Sequence, residues 1–225
     1  MTLRILADVE QRSEEWYKQR RGMVTASAVG QLITAKTLKP ADNDYSRGLT
    51  ALLVAERITG HTEPTFISND MWRGIDDEPR AREKYAEHYA EVDQVGFMVR
   101  DDWGFSIGYS PDGLVDDDGL IEVKSPRPKT HLRTILAGEV PPQHMAQIQC
   151  GLLVSGRKWC DFISYSGGMP MWTKRVYPDP KWHEAIVAAV AKFEENAAQM
   201  VATYTESTAN LPATERVNYD VELKL

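Results

Sequence analysis

Two short apolar segments on either side of an acidic turn constrain this chain more than any other feature of its sequence. GYSPDGLV and LIEVKS flank the turn residues DDDG, and Asp112 stands ten residues before Glu122. Side chains alternate between the two faces of a β-strand, so Glu122 and Lys124 share one face and Val123 lies on the other. The pattern therefore predicts a β-hairpin that brings two carboxylates and one ammonium group to a single point.

This group of charges is suited to hydrolysis of a phosphodiester with the help of a metal ion. Carboxylate oxygens are ligands that Mg²⁺ and Mn²⁺ prefer. The ammonium group of Lys124 can position or deprotonate a water molecule, or offset the charge of a phosphate. A chain with 33 acidic residues also produces an Asp…Glu-x-Lys pattern by chance. A surface salt bridge on an acidic hairpin is therefore an alternative interpretation.

A further alternative is a structural Ca²⁺ loop at residues 112–118, in a DNA- or protein-binding module without catalytic activity. The spacing departs from the EF-hand pattern, which has alternating acidic ligands, Gly at the sixth position and Glu at the twelfth. A Ca²⁺ loop also has no need of Lys124 beside its ligands. The sequence favours the hydrolytic site.

The composition limits the setting in which we expect the chain to work. It has 225 residues, 42% of them hydrophobic, which is enough for one domain with a substantial core. No apolar run reaches membrane-spanning length, and the N-terminal segment MTLRILADVEQRSEEW is too charged for a signal peptide. Cys150 and Cys160 are too few for a disulfide framework or a zinc site, and are expected to be buried thiols. We expect a cytoplasmic protein with no membrane partner.

The net charge of −7 argues against a protein that coats nucleic acid through its overall charge. Only a surface that faces nucleic acid has to be positive. Basic residues do cluster locally, at Lys18, Arg20 and Arg21 and again between Lys124 and Arg133. Any DNA binding should therefore be confined to a groove or channel.

Hydrophobic periodicity and capping signals predict both helices and strands. Helices are predicted to begin at Ser13, at Thr25 or Ser27, near residue 45, and at DEPRAREKYAEHYAE, where Pro79 suits the first turn; residues 36–44 and 61–70 are predicted loops. Strands are predicted at 94–100, 103–110 and 119–125, and again at 158–166 and 170–177. Two helices, at 130–137 and 142–155, are predicted between these two groups of strands.

These elements predict an α/β fold with a mixed central β-sheet flanked by helices. We expect one domain over residues 1–205 and a tail over 206–225. The domain divides into a helical part (1–92), a sheet core (93–178) and an amphipathic C-terminal helix (180–205).

Four stretches of the chain together resemble the YqaJ-like viral recombinase family, the lambda-exonuclease-like nucleases of the PD-(D/E)xK superfamily. SPDG followed by EVK, at 110–124, is similar to the nuclease core motif. WYKQRRGMVTAS (16–27), WRGIDDEPRARE (72–83) and HMAQIQ (144–149) are similar to three further motifs of the family. The resemblance implies a single nuclease domain with a restriction-endonuclease-like core.

The resemblance implies a catalytic role for Asp112, Glu122, Lys124, Glu78 and Gln147. Asp112 and Glu122 would hold divalent metal ions, with the backbone carbonyl of Val123 as a third ligand. Lys124 would orient the attacking water, and Glu78 would complete the acidic pocket through a metal-bound water. Taken alone, Glu78 could equally be an acidic residue that stabilises the first turn of a helix.

The resemblance also implies roles for residues outside the hairpin. Gln147 would hydrogen-bond the nucleophile; it shares a helical face with His144, and taken alone it would be an exposed amide. Arg20, Ser27 and Ser110 would recognise a 5′-phosphate, since a guanidinium offers permanent charge and hydroxyls offer donors. Without the resemblance, Ser27 would be a helix N-cap and Arg20 a solvated side chain.

The family resemblance implies a 5′→3′ exonuclease that degrades one strand of linear double-stranded DNA to 5′-mononucleotides and leaves a 3′ overhang. It implies Mg²⁺ as cofactor, with two ions per site and Mn²⁺ as a substitute. It further implies a homotrimeric ring around DNA, a phage or prophage origin in a bacterial host, and a single-strand annealing protein as partner. A structure-selective endonuclease or resolvase of the same superfamily is the alternative.

Overall fold

The structure, a computed structural model, describes residues 2–63 and 67–216. Its helices are α1 Glu14–Arg20, α2 Ala26–Val29, α3 Asp44–Thr59, α4 Asn69–His88, α5 Pro128–Ala137, α6 Met145–Ser155 and α7 Pro180–Thr208. Its strands are β1 Leu3–Leu6, β2 Val24–Thr25, β3 Ile33–Thr34, β4 Lys39–Pro40, β5 Phe97–Arg100, β6 Ile107–Tyr109, β7 Gly113–Val115, β8 Gly119–Lys124, β9 Trp159–Ser164 and β10 Trp172–Val176. Single 3₁₀ turns follow α2 and precede α6.

The strands form two four-stranded mixed sheets and a small hairpin of β3 with β4. The first sheet has the order β1-β5-β6-β2 and the second the order β10-β9-β8-β7. Each contains one parallel pair, β2 with β6 and β8 with β9, among antiparallel neighbours. An isolated bridge between Asp93 and Leu114 links the segment before β5 to β7. The mixed α/β fold is confirmed, with its sheet divided into two parts.

Both faces of the second sheet are covered. Leu120 of β8 and Phe162 of β9 belong to the main core, which also contains residues of α2, α3, α6 and α7. Ile121 and Val123, on the opposite face of β8, pack with Tyr85 of α4 in a smaller core. The expected alternation of side chains along β8 is confirmed. Glu122, on the other face, is buried too, and Gln147 of α6 contacts it there.

The N-terminal helices begin close to their predicted positions. The Ser13 hydroxyl caps α1 by accepting from Trp16 N, and Thr25 precedes α2. The chain turns between these helices at Gly22, whose φ is +64°. Glu56 and Arg57 of α3 hold this turn: Gly22 N donates to Glu56 Oε2 at 2.7 Å, and Arg57 Nε donates to Gly22 O at 2.6 Å. The α3 helix therefore fixes where α1 ends and β2 begins.

The prediction for α4 was wrong at its start. Pro79 was expected in the first turn, but the helix begins ten residues earlier, at Asn69, where Ser68 accepts from Met71 N. Pro79 therefore lies inside the helix, where it removes one backbone hydrogen bond. A good N-cap and a long run of helix-forming residues after Pro79 outweigh that loss. Of the predicted 61–70 loop, residues 64–66 lie outside the described residues.

The C-terminal half follows the predicted order. α6 begins after a 3₁₀ turn at Pro142–His144, and α7 extends to Thr208, slightly beyond its expected end. Cys150 and Cys160 are buried free thiols, as expected. No helix in the described part of the chain is both long and apolar enough to cross a membrane. Residues 217–225 of the predicted tail lie outside the described residues.

Candidate active site

The hairpin of β7 and β8 brings Asp112, Glu122 and Lys124 together. The strand ladder ends at the Gly113–Ile121 pair, and the Asp112 carboxylate then accepts from Val123 N at 2.7 Å. Lys124 Nζ donates to Glu122 Oε1 at 2.5 Å. Gln147 Nε2, from α6 on the adjacent face, donates to the same oxygen at 2.6 Å. Lys124 and Gln147 therefore both contact Glu122, and Asp112 is held beside them through the backbone of Val123.

Glu122 is 0% exposed, and its second oxygen, Oε2, has no hydrogen-bond partner. Burial raises the pKa of Glu122 to about 7; Lys124 opposes this shift, and Asp112 adds to it. Burial likewise raises the pKa of Asp112, against the effect of Lys124. A buried carboxylate with an unpartnered oxygen is costly unless a cation compensates it. The donor set therefore fits a bound cation.

The remaining expected ligand is the Val123 carbonyl. In a strand the N–H and C=O of one residue point to the same edge, so Val123 O faces the same edge as Asp112. Two carboxylates and a carbonyl are hard oxygen ligands of the type that Mg²⁺ accepts, with water completing the shell. Within residues 2–63 and 67–216, no group of three or more His, Cys, Asp or Glu side chains is placed to hold a metal ion by itself. Any ion here would therefore depend on backbone and water ligands.

Glu78 lies near the carboxylates but is occupied by two arginines. Its Oε1 accepts from Arg82 at 2.7 Å and its Oε2 from Arg12 at 3.0 Å. Burial and the charge of Asp112 raise the pKa of Glu78, while both arginines lower it. Glu78 and Asp112 therefore interact electrostatically.

Arg20, Ser27 and Ser110 form a second cluster, as expected for an anion site. Arg20 Nη1 donates to Ser110 Oγ at 3.0 Å, and Nη2 donates to Ser27 Oγ at 3.3 Å. Burial lowers the pKa of Arg20 to about 10, which leaves it charged at neutral pH. In the described part of the chain Arg20 makes no ion pair. A half-buried guanidinium that contacts hydroxyls and no carboxylate is suited to bind an anion.

The two clusters share one cavity. A space of about 200 Å³ is lined by Arg20, Ser27 and Ser110 on one side and by Asp112, Glu78 and Gln147 on the other. A wider cleft of about 600 Å³ adjoins it and is lined by Val123, Lys124 and the start of α4. Ser110 and Asp112 are two residues apart in the chain, which places the anion cluster directly beside the carboxylates.

Sequence reasoning missed several residues of the site. Trp16 Nε1 donates to Ser110 Oγ at 2.9 Å, and the Arg20 guanidinium lies 4.0 Å from the centroid of the Trp16 ring. The spacing of four residues between Trp16 and Arg20 on α1 could have predicted this contact. Thr25 also accepts from Arg20. Arg12 precedes the predicted helix, and nothing in the sequence pattern marked it.

The acidic turn does not form an open Ca²⁺ loop. Arg157 Nη1 donates to the carbonyls of Asp116 and Gly119, both at 2.7 Å, and Lys158 pairs with Asp118. Carbonyls that would serve a Ca²⁺ ion are therefore held by a guanidinium. This geometry favours the hydrolytic site over the Ca²⁺-binding module.

The chain is similar to known nucleases along most of its length. A family model for the YqaJ-like viral recombinase domain matches residues 15–158. LHK-Exo, an alkaline exonuclease from Laribacter hongkongensis, is 32% identical, with a TM-score of 0.74 over 87% of this chain and 100% of that one. LHK-Exo in complex with dAMP gives a TM-score of 0.78 over 89% of this chain and 100% of that one.

A phage-related exonuclease from Haemophilus somnus has the same fold at 11% identity, with a TM-score of 0.61 over 81% of this chain and 96% of that one. No curated protein matches the chain. The neighbours confirm the expected restriction-endonuclease-like architecture.

Proposed function

Because the chain belongs to the YqaJ-like viral recombinase family, we propose that it is a Mg²⁺-dependent 5′→3′ exonuclease acting on the ends of double-stranded DNA. It would release 5′-mononucleotides and leave a 3′ overhang. The observation that carries the proposal is the shared cavity, in which an anion cluster adjoins the half-buried carboxylates of Asp112 and Glu78. The dAMP bound to LHK-Exo supports it, since dAMP is a 5′-mononucleotide.

Each group in the site has a task in this reaction. Asp112, Glu122 and the Val123 carbonyl would hold two Mg²⁺ or Mn²⁺ ions per site. These ions would stabilise the charge on the phosphate and on the leaving oxygen. Lys124 and Gln147 would orient the attacking water, and their shared contact with Glu122 Oε1 supports this role. Glu78 would hydrogen-bond a water of the metal shell.

The anion cluster supplies the polarity of the proposed reaction. Arg20, Ser27 and Ser110 would bind the terminal 5′-phosphate, which places the next phosphodiester at the carboxylates. Only a strand that ends in a 5′-phosphate fills both positions at once. Binding energy at the terminal phosphate is then used to position the reacting bond.

Digestion of linear duplexes labelled at either end tests the proposal. With Mg²⁺ and a 5′-phosphate, we expect mononucleotides from the 5′ end and a surviving 3′ strand. With Ca²⁺ alone, or with EDTA, we expect no product. Release of the label from the 3′ end first would contradict the polarity.

Substitution in the hairpin tests the chemistry. Asp112→Ala, Glu122→Ala and Lys124→Ala should each lower the cleavage rate by about 10²-fold or more, because each removes a group that acts on the metal or the water. Glu195→Ala and Lys158→Ala are matched controls, since both residues are exposed members of surface ion pairs. Wild-type turnover in any of the three site variants would reject the assignment.

A closed circular duplex separates this proposal from an endonuclease or resolvase. An enzyme that requires a 5′ end leaves the circle intact, whereas an endonuclease nicks it. We further propose that the protein assembles as a trimeric ring on DNA and works with a phage single-strand annealing protein in the bacterial cytoplasm. The family membership supports this part of the proposal.

A further inference from the structure

Arg12 has a backbone conformation that its residue type does not favour. Its φ is +71°, in the left-handed region where a side chain meets steric resistance and where Gly fits freely. It lies just before Ser13, the N-cap of α1. Non-Gly residues in such conformations concentrate at functional sites, so the Arg12 side chain needs an explanation.

The Arg12 side chain reaches the catalytic cavity from this position. It lines both the 200 Å³ cavity of the two clusters and the wider cleft that contains Lys124. Its Nη2 atom pairs with Glu78 Oε2 at 3.0 Å. Arg12 is therefore an additional guanidinium beside the carboxylates, and it comes from a different segment from Arg20.

Glu78 does not depend on Arg12 for a partner. Arg82 pairs with its other oxygen from one helical turn away, and the Arg82 side chain is only 12% exposed. The Arg12 side chain is 42% exposed, so it can exchange its partner at little cost. The two arginines thus differ: Arg82 contacts Glu78 from a buried position, and Arg12 contacts it from a position that is partly exposed to solvent.

We propose that Arg12 binds a backbone phosphate of the cleaved strand, beside the carboxylates, and leaves Glu78 Oε2 when DNA enters. This inference rests on the proposed function. A guanidinium is suited to the task because it offers paired donors to a phosphate. In the absence of DNA the contact with Glu78 keeps the guanidinium at the site. Release of Glu78 Oε2 then frees that oxygen for a water of the catalytic centre.

Three variants test the proposal. Arg12→Gly removes the guanidinium and relieves the backbone, Arg12→Gln replaces the guanidinium with a shorter neutral amide, and Arg12→Lys retains a charge without paired donors. We expect kcat/KM to fall about tenfold or more in Arg12→Gly and Arg12→Gln, and less in Arg12→Lys. Arg12→Gly should melt no lower than the wild type, since the strain is gone.

The dependence of the activity loss on the 5′ end and of DNA binding on salt distinguishes Arg12 from neighbouring residues. The fall should be equal for 5′-phosphorylated and 5′-hydroxyl duplexes, because Arg12 would contact an internal phosphate. Duplex binding, measured by fluorescence anisotropy in EDTA over a series of salt concentrations, should show a slope of log K against log salt that is smaller by about one. Lys158→Gln and Asp116→Gly are the controls for charge and for positive φ, and both should behave as the wild type in cleavage.

Two outcomes would overturn the inference. One is an unchanged salt slope in Arg12→Gly and Arg12→Gln; the other is a loss of activity that follows a loss of thermal stability, as expected of a structural ion pair. A wild-type protein without nuclease activity would reject the proposed function, while the anisotropy experiment would still decide whether Arg12 binds a phosphate.

Discussion

At the scale of single residues, Arg20 is the group whose surroundings most clearly favour an anionic ligand. It is half-buried, it stacks on Trp16, and its hydrogen-bond partners are three hydroxyls. The anion cluster is therefore a site of charge without a resident counterion in the described part of the chain.

Replacement of Arg20 tests the role of this cluster. Arg20→Ala should bring the ratio of kcat/KM for 5′-phosphorylated over 5′-hydroxyl ends towards one, because a charge-assisted hydrogen bond to phosphate contributes about 1.5–3 kcal/mol. Arg21→Ala is the matched control, since Arg21 donates to Thr62, away from the cavity. An unchanged ratio in Arg20→Ala would remove Arg20 from the 5′-phosphate site.

His144 makes the free energy of unfolding depend on pH. It stacks on Phe162, and burial, with the nearby charge of Lys124, lowers its pKa to about 4 from 6.5. Between pH 6.5 and 4 the unfolded chain therefore binds a proton that the folded protein does not, so the free energy of unfolding falls as the pH falls.

Comparison with His144→Gln isolates this effect. Urea unfolding at pH 7.5 and pH 5 should show that the wild type loses about 1 kcal/mol more than the variant, a figure reduced for the partial exposure of the imidazole. The carboxylates of the site and His183 titrate in both proteins and cancel in the difference. An equal loss in both proteins would contradict the prediction.

Local geometry explains which site residues the sequence could predict. Asp112, Glu122 and Lys124 lie on one hairpin, so strand alternation alone brings them together. The contact of Arg20 with Ser110 joins segments 90 residues apart and was reached only through the family resemblance. The strained φ of Arg12 and the burial of Glu122 depend on tertiary packing, which periodicity does not report.

At the scale of elements, the turn at Gly22 connects the anion cluster to α3. A Cβ on Gly22 would lie 2.4 Å from Arg57 Cγ, and its φ of +64° already disfavours a side chain. Arg57 is in turn paired with Glu194 of α7 through two contacts of 2.7 Å. The position of Arg20 therefore depends on a contact between three helices.

Gly22→Ala should lower the free energy of unfolding by about 2–4 kcal/mol, because backbone strain and a steric clash add. Gly60→Ala is a matched control: its φ is +63°, but no atom lies within 4 Å of an added Cβ, so a loss of about 1 kcal/mol is expected. Chemical denaturation of both variants measures the difference. Equal losses would show that Arg57 moves aside freely.

Elements with strong local signals were predicted well, and the others were not. α3 was predicted near residue 45 and begins at Asp44, where Asn43 supplies a capping box. β1 was missed because its four residues are defined by pairing with β5, far along the chain. The start of α4 was misplaced because Pro79 was taken as a beginning, although Ser68 supplies the actual cap.

At the scale of the whole molecule, the negative net charge bears on how firmly the protein stays bound to DNA. The net charge is −7, and the catalytic cleft is open on one side of a single chain. Electrostatic attraction alone would hold such a protein on DNA weakly. A closed ring retains its substrate by topology, which is why the trimer is part of the proposed function.

Light scattering coupled to size exclusion tests the assembly. We expect a mass of about three times 25.4 kDa at micromolar concentration. We also expect long duplexes to be degraded in single encounters when an excess of unlabelled competitor is added. A monomer at every concentration would exclude the ring.

The overall architecture followed from the order of elements, whereas its division did not. A region rich in strands and a final long helix were visible in the sequence, whereas the N-terminal part predicted as helical also contains the short strands β1–β4. The split into two four-stranded sheets depends on which edges pair, and an isolated bridge links Asp93, which precedes β5, to Leu114 of β7. Pairing between distant strands is not encoded in local periodicity.

The short link from Ser110 through Pro111 to Asp112 has a consequence for the size of the product. Two residues of extended chain span roughly 7 Å, and Pro111 restricts the backbone dihedral angles between them. On the proposed function, this tripeptide sets the distance between two positions on the DNA strand. Ser110 would bind the 5′-phosphate at the end of the strand, and Asp112 would hold the metal ion at the bond that is cleaved. The length of this tripeptide would then determine that each cleavage releases one nucleotide.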